Sequence, residues 1–274
     1  MEPLSASRRR LYLIFFSLIF VIGLPVTIFY ADGWRFEPGI GLVRTGGLYV
    51  SVPGSGARIT VNDRVVGESG FLQRSFYVDD LAPAAYIVRA EREGARLWRR
   101  VLIVEPQLVT SADVVLLPED IMLTELMVSG NATGTRVIAQ TAFDDIRAAF
   151  ATSTASSTLP LDRRGGVELR IVAGDVLVRW AEDGQLPSIF CSSPSLCERE
   201  FSVKRFGGEA LDARFYGSGV VYRTKEGGIY FSEVDIRETP VSAQIYAADK
   251  SDMRIIDGAL IIKSGPAFYE VQGL

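Results

Sequence analysis

The chain has 274 residues, of which 48% are hydrophobic, with 26 Gly, 12 Pro and a formal net charge of −4. This length accommodates one or two domains of about 100 to 200 residues each, and the net charge gives no general attraction to nucleic acid. Histidine is absent, which removes the commonest general base and the commonest metal ligand near neutral pH. We therefore expect no nucleic-acid partner, no metal and no cofactor.

The N-terminal segment predicts a membrane span. After three arginines at positions 8–10, residues 11–30 read LYLIFFSLIFVIGLPVTIFY and carry no charge. A helix of this length, at about 1.5 Å per residue, crosses a hydrocarbon core of about 30 Å. By the positive-inside rule the arginines predict a cytoplasmic tail at residues 1–10 and an extracytoplasmic remainder. The lipid bilayer is thus the first expected partner.

A cleaved signal peptide is the alternative interpretation of this segment. The apolar region of a cleaved signal peptide is normally only about 7 to 15 residues long, which is shorter than the uncharged run at 11–30. In addition, Ala31 has Phe29 at the position where cleavage requires a small side chain. We expect an uncleaved anchor and a single-pass protein of the cell membrane.

After a predicted linker at residues 31–44, the hydrophobic pattern changes to one typical of short β-strands. The segments are rich in Val, Ile, Leu and Tyr, and Gly, Pro, Asn or Asp separate them. Strands are predicted at residues 47–52, 57–61, 85–90, 97–104 and 110–117. Asn62-Asp63 lies between two apolar runs, and both residue types tolerate the left-handed backbone of a tight hairpin. The spacing predicts a small antiparallel β-sandwich.

This region resembles the PEGA domain. The sequence reads TGGLYVSVP at 45–53, GARITVND at 56–63 and LAPAAYIV at 81–88. These segments follow one another in the same order as three features of the family. The features are a strand that ends in Ser-x-Pro-x-Gly-Ala, a hairpin with a small polar turn, and a Leu-x-Pro-Gly-x-Tyr segment. The resemblance covers about residues 45–118.

The chain departs from the PEGA pattern twice. It has one extra residue between Pro53 and Ala57, and Ala84-Ala85 replaces the Gly that normally precedes the Tyr. Neither change threatens a sandwich. The resemblance implies a non-catalytic β domain of bacterial envelope proteins, often beside a membrane helix, that binds other surface components. It supplies no catalytic residues.

Residues 119–274 predict a second, β-rich domain. Strands are predicted at 167–172, 175–181, 201–206, 219–224, 228–237, 253–256, 259–263 and 267–271. The C-terminal pattern, including Gly228-Ile229-Tyr230 and Phe268-Tyr269-Glu270-Val271, resembles the tail of larger PEGA-type membrane proteins with propeller-like repeats. Roughly 155 residues offer some three blades, fewer than the four from which propellers are built. We predict a shortened propeller-like region, with an antiparallel sandwich as the alternative, and a mainly β fold class overall.

Two non-strand segments interrupt this domain. Residues 141–151 predict an amphipathic helix with Thr141 as its N-cap and with Phe143, Ile146 and Phe150 facing a sheet. The Ser- and Thr-rich segment 152–160 predicts a surface loop.

Cys191 and Cys197 are the chain's two cysteines and flank the short segment SSPSL. A loop of this length can bring two thiols within bridging distance, and an extracytoplasmic compartment permits oxidation. We therefore predict a local disulfide. Two unpaired thiols are the alternative, whereas two Cys with five residues between them and no His do not form a zinc set.

Charged side chains alternate at Glu233, Asp235 and Arg237, so a continuous strand would present all three on one face. One interpretation is a carboxylate pair with a basic partner. The interpretation favoured by the pattern is a solvated strand face with internal charge compensation. The acidic pairs Asp79-Asp80 and Asp144-Asp145 lie outside any spaced oxygen-ligand loop and do not predict a calcium site.

The other candidate motifs do not predict a catalytic or binding site, because turns, chance or strand packing account for them. Ser55 and Ser218 lie between glycines without the wider spacing of a nucleophile elbow, and no His is available as a base. Asn131-Ala132-Thr133 fits a glycosylation acceptor only by chance. Aromatic residues suggest either a sugar platform or, more commonly, strand packing; they are Trp98, Trp180, Tyr216, Tyr222 and Tyr230. We predict no catalytic residues.

The sequence therefore predicts a non-enzymatic protein of the cell envelope. It is held by one helix and acts as a structural or binding module toward an envelope protein or glycan. The alternative is a cell-surface enzyme, such as a glycan hydrolase, that uses two carboxyls placed about 5 to 9.5 Å apart in a cleft.

Overall fold

A computed structural model describes residues 6–39, 41–130, 133–151, 161–204 and 206–274. The predicted loop at 152–160 and the sequon residue Asn131 lie outside the described residues. The rest is mainly β, with one N-terminal apolar helix and several antiparallel sheets, which confirms the predicted fold class.

The first element is helix α1, Ala6–Ala31. It contains the predicted span at 11–30 and begins five residues before it, so part of the predicted tail is also helical. The most apolar 18-residue window within Ser7–Ala31 has a mean hydropathy of 2.5, and no part of that window is buried against the rest of the protein. α1 is thus long and apolar enough to cross a membrane.

The segment predicted as a linker at 31–44 contains a β-hairpin instead, formed by β1 (Trp34–Glu37) and β2 (Gly41–Arg44). Asp32, just after α1, accepts hydrogen bonds from Arg44 Nη2 at 2.6 Å and from Gln107 Nε2 at 2.9 Å. The backbone N–H of Thr45 donates to the Gly33 carbonyl at 2.9 Å. Asp32, Gly33, Arg44, Thr45 and Gln107 form what we call the polar clamp, which fixes the end of α1 to the strands that follow.

Seven strands form a two-sheet sandwich after the hairpin. They are β3 (Gly46–Ser51), β4 (Arg58–Val61), β5 (Arg64–Glu68), β6 (Ser75–Leu81), β7 (Ala84–Glu91), β8 (Trp98–Val104) and β9 (Val109–Asp113). One sheet has the order β6-β3-β9 and the other β5-β4-β7-β8. Fully buried residues from both sheets, such as Leu48, Ile59 and Val88, fill the space between them. The pairing is antiparallel throughout except between β3 and β9, which run parallel.

The sequence predicted the β4–β5 turn and missed β6. Asn62 and Asp63 have φ values of 46° and 66°, which confirms the left-handed hairpin turn. β6 alternates Phe76 and Val78 with polar or exposed neighbours and carries Asp79-Asp80 just before its last residue. This composition gives a weak strand signal. The predicted last strand is shorter than expected, because β9 ends at Asp113 and residues 114–117 continue as a buried connection.

The remaining strands form three further sheets and one separate two-stranded pair. They are β10 (Met122–Met127), β11 (Thr135–Val137), β12 (Asp162–Arg164), β13 (Val167–Val172), β14 (Asp175–Trp180), β15 (Cys191–Ser193), β16 (Leu196–Cys197), β17 (Glu200–Ser202), β18 (Ala210–Tyr216), β19 (Gly219–Thr224), β20 (Ile229–Glu233), β21 (Ser242–Tyr246), β22 (Asp252–Ile256), β23 (Ala259–Ser264) and β24 (Ala267–Gln272). The sheet orders are β12-β13-β14-β17, β18-β19-β20-β21 and β11-β10-β24-β23-β22, with a separate β15-β16 pair.

The sheet β11-β10-β24-β23-β22 combines strands from the start and from the end of the C-terminal region. β10 pairs antiparallel with β24, so residues near 122–125 and 269–272 hold the two ends of the region together. A four-stranded sheet is the repeat unit of a propeller, and the described residues of this C-terminal region contain three successive sheets of at least four strands.

Helix α2, Gln140–Ala151, covers this third sheet as predicted. Its Ile146 and Phe150 are buried against Ile261 and Phe268. Thr141 lies inside the first turn rather than at the N-cap, because the helix already begins at Gln140.

The sandwich and the C-terminal sheets share one apolar core. Trp98 of β8 belongs to the same buried cluster as Phe231 of β20 and Ile262 of β23. The predicted boundary between residues 118 and 119 therefore falls within a continuously packed core.

Candidate functional site

The most unusual cluster of side chains lies where β8 of the sandwich meets the end of β20. Strand β8 alternates strictly between buried and exposed residues, and its buried face carries Trp98, Arg100, Leu102 and Val104. The alternation places an arginine among apolar side chains, and Arg100 is 0% exposed. A guanidinium in this position needs acceptors within reach, because burying an unpaired charge is very costly.

Glu233, the last residue of β20, supplies the main acceptor. Its Oε2 accepts from Arg100 Nη2 at 2.5 Å and from the backbone N–H of Val241 at 2.8 Å. Its Oε1 accepts from Trp98 Nε1 at 3.2 Å. Arg100 Nη1 also donates to the Glu238 carbonyl at 2.9 Å. Two neighbouring residues of one sandwich face thus bind one carboxylate of the C-terminal region.

A second ion pair lies beside the first. Arg237 donates from Nε to Asp235 Oδ1 at 2.8 Å and from Nη2 to Asp235 Oδ2 at 2.7 Å. Its Nη1 reaches across to the Ser111 carbonyl of β9 at 3.0 Å, and Arg100 Nε lies 4.0 Å from Asp235 Oδ2. We call Trp98, Arg100, Glu233, Asp235 and Arg237 the buried ion-pair cluster. Its two arginines and two carboxylates balance in charge.

The prediction that Glu233, Asp235 and Arg237 form a solvated strand face is wrong. All three are buried, and β20 ends at Glu233, so the three residues do not lie along one strand. The side that an isolated strand would expose is covered here by β8 and β9 of the sandwich. Arg100 was not singled out from the sequence, although its place in the buried alternation of β8 was a usable signal.

Burial raises the pKa of Glu233 above its usual range, and the Arg100 guanidinium and the Val241 N–H oppose that shift. The nearby Asp235 carboxylate adds to the increase. The charged form of Glu233 is therefore held by its hydrogen bonds against the cost of desolvation.

A cleft of about 330 Å³ borders the cluster. Asp113 of the sandwich, Arg164, Phe215, Glu233 and Asp235 contribute to its lining. Three acids, Asp113, Glu233 and Asp235, thus line a concave surface, and the alternative hydrolase hypothesis requires two that can act on a substrate. However, all four carboxylate oxygens of Glu233 and Asp235 accept hydrogen bonds from Trp98, Arg100, Val241 or Arg237, so Asp113 is the one acid of this lining that the cluster does not hold. A general acid or nucleophile needs an oxygen that is free to meet the substrate.

The two cysteines provide a second link to the sandwich. Cys191 and Cys197 are joined in a disulfide with an S–S distance of 2.02 Å and face each other across the β15–β16 hairpin. At the hairpin turn, Ser195 Oγ donates to Glu105 Oε1 at 2.7 Å, next to the end of β8. Hydrogen bonds from Ser193 and Ser195 lower the pKa of Glu105.

The remaining sequence candidates are not brought together into a site. Trp98 and Tyr222 are fully buried and belong to different apolar clusters, which supports strand packing for these two residues. Asp80 pairs with Arg35, and Asp144 pairs with Arg147. Ser55 and Ser218 lie in exposed turns. Among the described residues, no group of three or more Cys, Asp or Glu side chains is placed to hold a metal ion.

Comparison with known proteins identifies no relative, since no protein-family model matches the chain and a search of curated proteins finds no match.

Proposed function

We propose that the protein is a single-pass, membrane-anchored and non-enzymatic module of the cell envelope, with its β-rich mass on the extracytoplasmic side. The observation that carries this proposal is α1, which contains an uncharged apolar run at residues 11–30 that the rest of the protein leaves unburied. A soluble helix of this composition would be covered by other elements. Arginines at positions 8–10 at its N-terminal end favour a cytoplasmic N-terminus.

A structural or binding role is supported by how the parts are joined. The polar clamp fixes α1 to the sandwich, and the buried ion-pair cluster fixes the sandwich to the C-terminal sheets. These links favour a rigid body over a set of loosely tethered domains. The resemblance of residues 45–118 to the PEGA domain supports the same proposal, with an envelope protein or glycan as the partner.

The hydrolase alternative is less favoured by the geometry. Of the three acids that line the cleft, Glu233 and Asp235 already use their oxygens in the buried ion-pair cluster, which leaves no second carboxylate of the lining to act with Asp113. We therefore assign these carboxylates to positioning the two halves of the protein against each other.

The proposal is tested in two steps on the full chain. Membranes are first washed with alkaline carbonate, and we expect the protein to stay in the pellet until detergent is added. Partners are then cross-linked in intact cells and captured in detergent, with proteins and glycans scored together. Release of the protein by carbonate would contradict the anchor. If the captured protein reproducibly carries no cross-linked partner, the binding role fails and only a spacer role is left.

A further inference from the structure

The hairpin β1–β2 presents an apolar face that nothing in the described structure covers. Its register sets Trp34 opposite Arg44 and Phe36 opposite Leu42. Side chains of directly paired residues, and of residues two apart on one strand, lie on the same face of a hairpin. Trp34, Phe36, Leu42 and Arg44 therefore form one surface, which we call the hairpin face.

The hairpin face continues the surface of α1. The Trp34 ring packs edge-on against Phe29 of the last helical turns, with centroids 6.0 Å apart. The Arg44 guanidinium lies 5.1 Å from the Trp34 ring centre. Beyond these contacts, Phe36 is 74% exposed and Leu42 is 65% exposed. At about 3.3 Å per residue, Phe36 lies about 10 Å along the chain from Gly33.

Both arginines of the hairpin are already paired. Arg35 binds Asp80 at 2.9 Å and the Tyr30 carbonyl at 2.8 Å, and it stacks 3.7 Å from the Tyr30 ring centre. Arg44 binds Asp32 at 2.6 Å. Because both arginines have acidic partners within the protein, the hairpin face is built for apolar contact rather than for attraction to anionic groups.

We propose that the hairpin face is a membrane-docking surface, with Phe36 and Leu42 inserted into the interfacial region of the bilayer leaflet where α1 ends. Aromatic side chains favour this depth, where their rings meet the headgroups. Shallow apolar insertion of this kind buries a few side chains at the headgroup–acyl boundary. Together with the polar clamp, it sets the orientation of the sandwich on the membrane. The inference rests on the proposed anchoring of α1.

The test uses spin labels on single introduced cysteines in the full chain, reconstituted into phosphatidylcholine vesicles. The native cysteines are both in a disulfide, so each variant offers one free thiol. The test variants are Phe36→Cys and Leu42→Cys. The matched control is Leu72→Cys, at a position 93% exposed. That loop precedes β6 at the end where Ser75 pairs with Ser51, away from Gly46 and the clamp.

We expect labels at 36 and 42 to collide with oxygen more often, and with a water-soluble nickel chelate several-fold less often, than the label at 72. Adding an anionic lipid to the vesicles should leave the oxygen and nickel collision frequencies of these labels unchanged. Nickel collision at 36 and 42 equal to that at 72 would overturn the docking surface.

A fourth label, at Phe20→Cys in the middle of α1, separates the two proposals. If position 20 is shielded and position 36 is not, docking fails while the anchor stands. If position 20 is itself accessible to the nickel chelate, the anchor fails and the docking surface fails with it.

Discussion

Arg100 in the sandwich and Glu233 in the C-terminal region form a buried ion pair, with Nη2 and Oε2 2.5 Å apart and the two side chains 0% and 2% exposed. The residues are 133 positions apart in the sequence. Their pairing lies where the two halves of the β mass meet, beside the apolar core that both halves share. The net contribution of a buried pair to stability is small compared with the cost of removing one of its partners.

Arg100→Met should lower the free energy of unfolding by about 3–5 kcal/mol, because it leaves the Glu233 carboxylate buried without its cation. The measurement is urea unfolding of the full chain in non-ionic detergent. Arg89→Met is the matched control on the same sandwich, since the partner of Arg89 is the exposed Asp63, and it should cost less than about 1 kcal/mol. Equal losses for the two variants would contradict the role of Arg100.

The double variant Arg100→Met/Glu233→Met should be more stable than Arg100→Met alone. Replacing both partners with apolar side chains removes the unpaired buried charge. A double variant less stable than the single one would mean that the pair itself, rather than the orphaned carboxylate, carries the energy.

The pH dependence of stability should differ between wild type and Glu233→Gln. Burial raises the pKa of Glu233 in the folded state above its ordinary value of 4.5, so the folded protein binds this proton more tightly than the unfolded chain. The contribution of Glu233 to stability is therefore largest below about pH 4.5, falls as pH rises to the folded-state pKa, and is constant above it. We expect the wild-type-minus-variant unfolding free energy to fall with pH and then level off. A difference that rises with pH would contradict this assignment.

Replacing both Cys191 and Cys197 by Ser should lower the unfolding free energy by about 2 kcal/mol, the value for a short closed loop. The measurement is urea unfolding of the wild type and of this variant in the full chain, each with and without a reducing agent. Reduction should destabilise the wild type by a similar amount and leave the variant unchanged. Wild type that is unaffected by complete reduction would contradict a stabilising role for the bond.

Gly46→Ala should destabilise the start of the sandwich. A Cβ there would lie 2.2 Å from the Glu105 carbonyl oxygen and 2.8 Å from that of Leu108, so the backbone beside the polar clamp must move, at a cost of about 1–3 kcal/mol. Gly70→Ala is the control, because nothing lies within 4 Å of its Cβ position and its effect should stay within about 0.5 kcal/mol. A thermal unfolding midpoint for Gly46→Ala equal to that for Gly70→Ala would rule out this close approach.

Local patterns were sufficient for some elements of this protein. The apolar run at 11–30 defines most of α1 by composition alone, and the left-handed preference of Asn62-Asp63 defines a turn. The hairpin β1–β2 was missed because its strands have only four residues each and mix Arg and Glu with Trp, Phe and Leu. Short strands of mixed polarity carry little periodic signal.

The buried ion-pair cluster could not be predicted in the same way. Alternation along Glu233, Asp235 and Arg237 indicates that side chains share a face, but it does not reveal whether another sheet covers that face. The covering sheet comes from β8 and β9, far away in sequence. Arg100 at a buried position of β8 was the one local sign that a distant carboxylate had to be nearby.

The central claim, an anchored protein with its β mass outside, is tested most directly by thiol labelling of intact cells with a membrane-impermeant maleimide. Two single-cysteine variants of the full chain are compared: Leu72→Cys in the exposed sandwich loop and Ser7→Cys at the N-terminal end of α1. We predict that Leu72→Cys is labelled in intact cells and that Ser7→Cys is labelled only after the membrane is permeabilised. Labelling of Leu72→Cys only after permeabilisation would contradict the account.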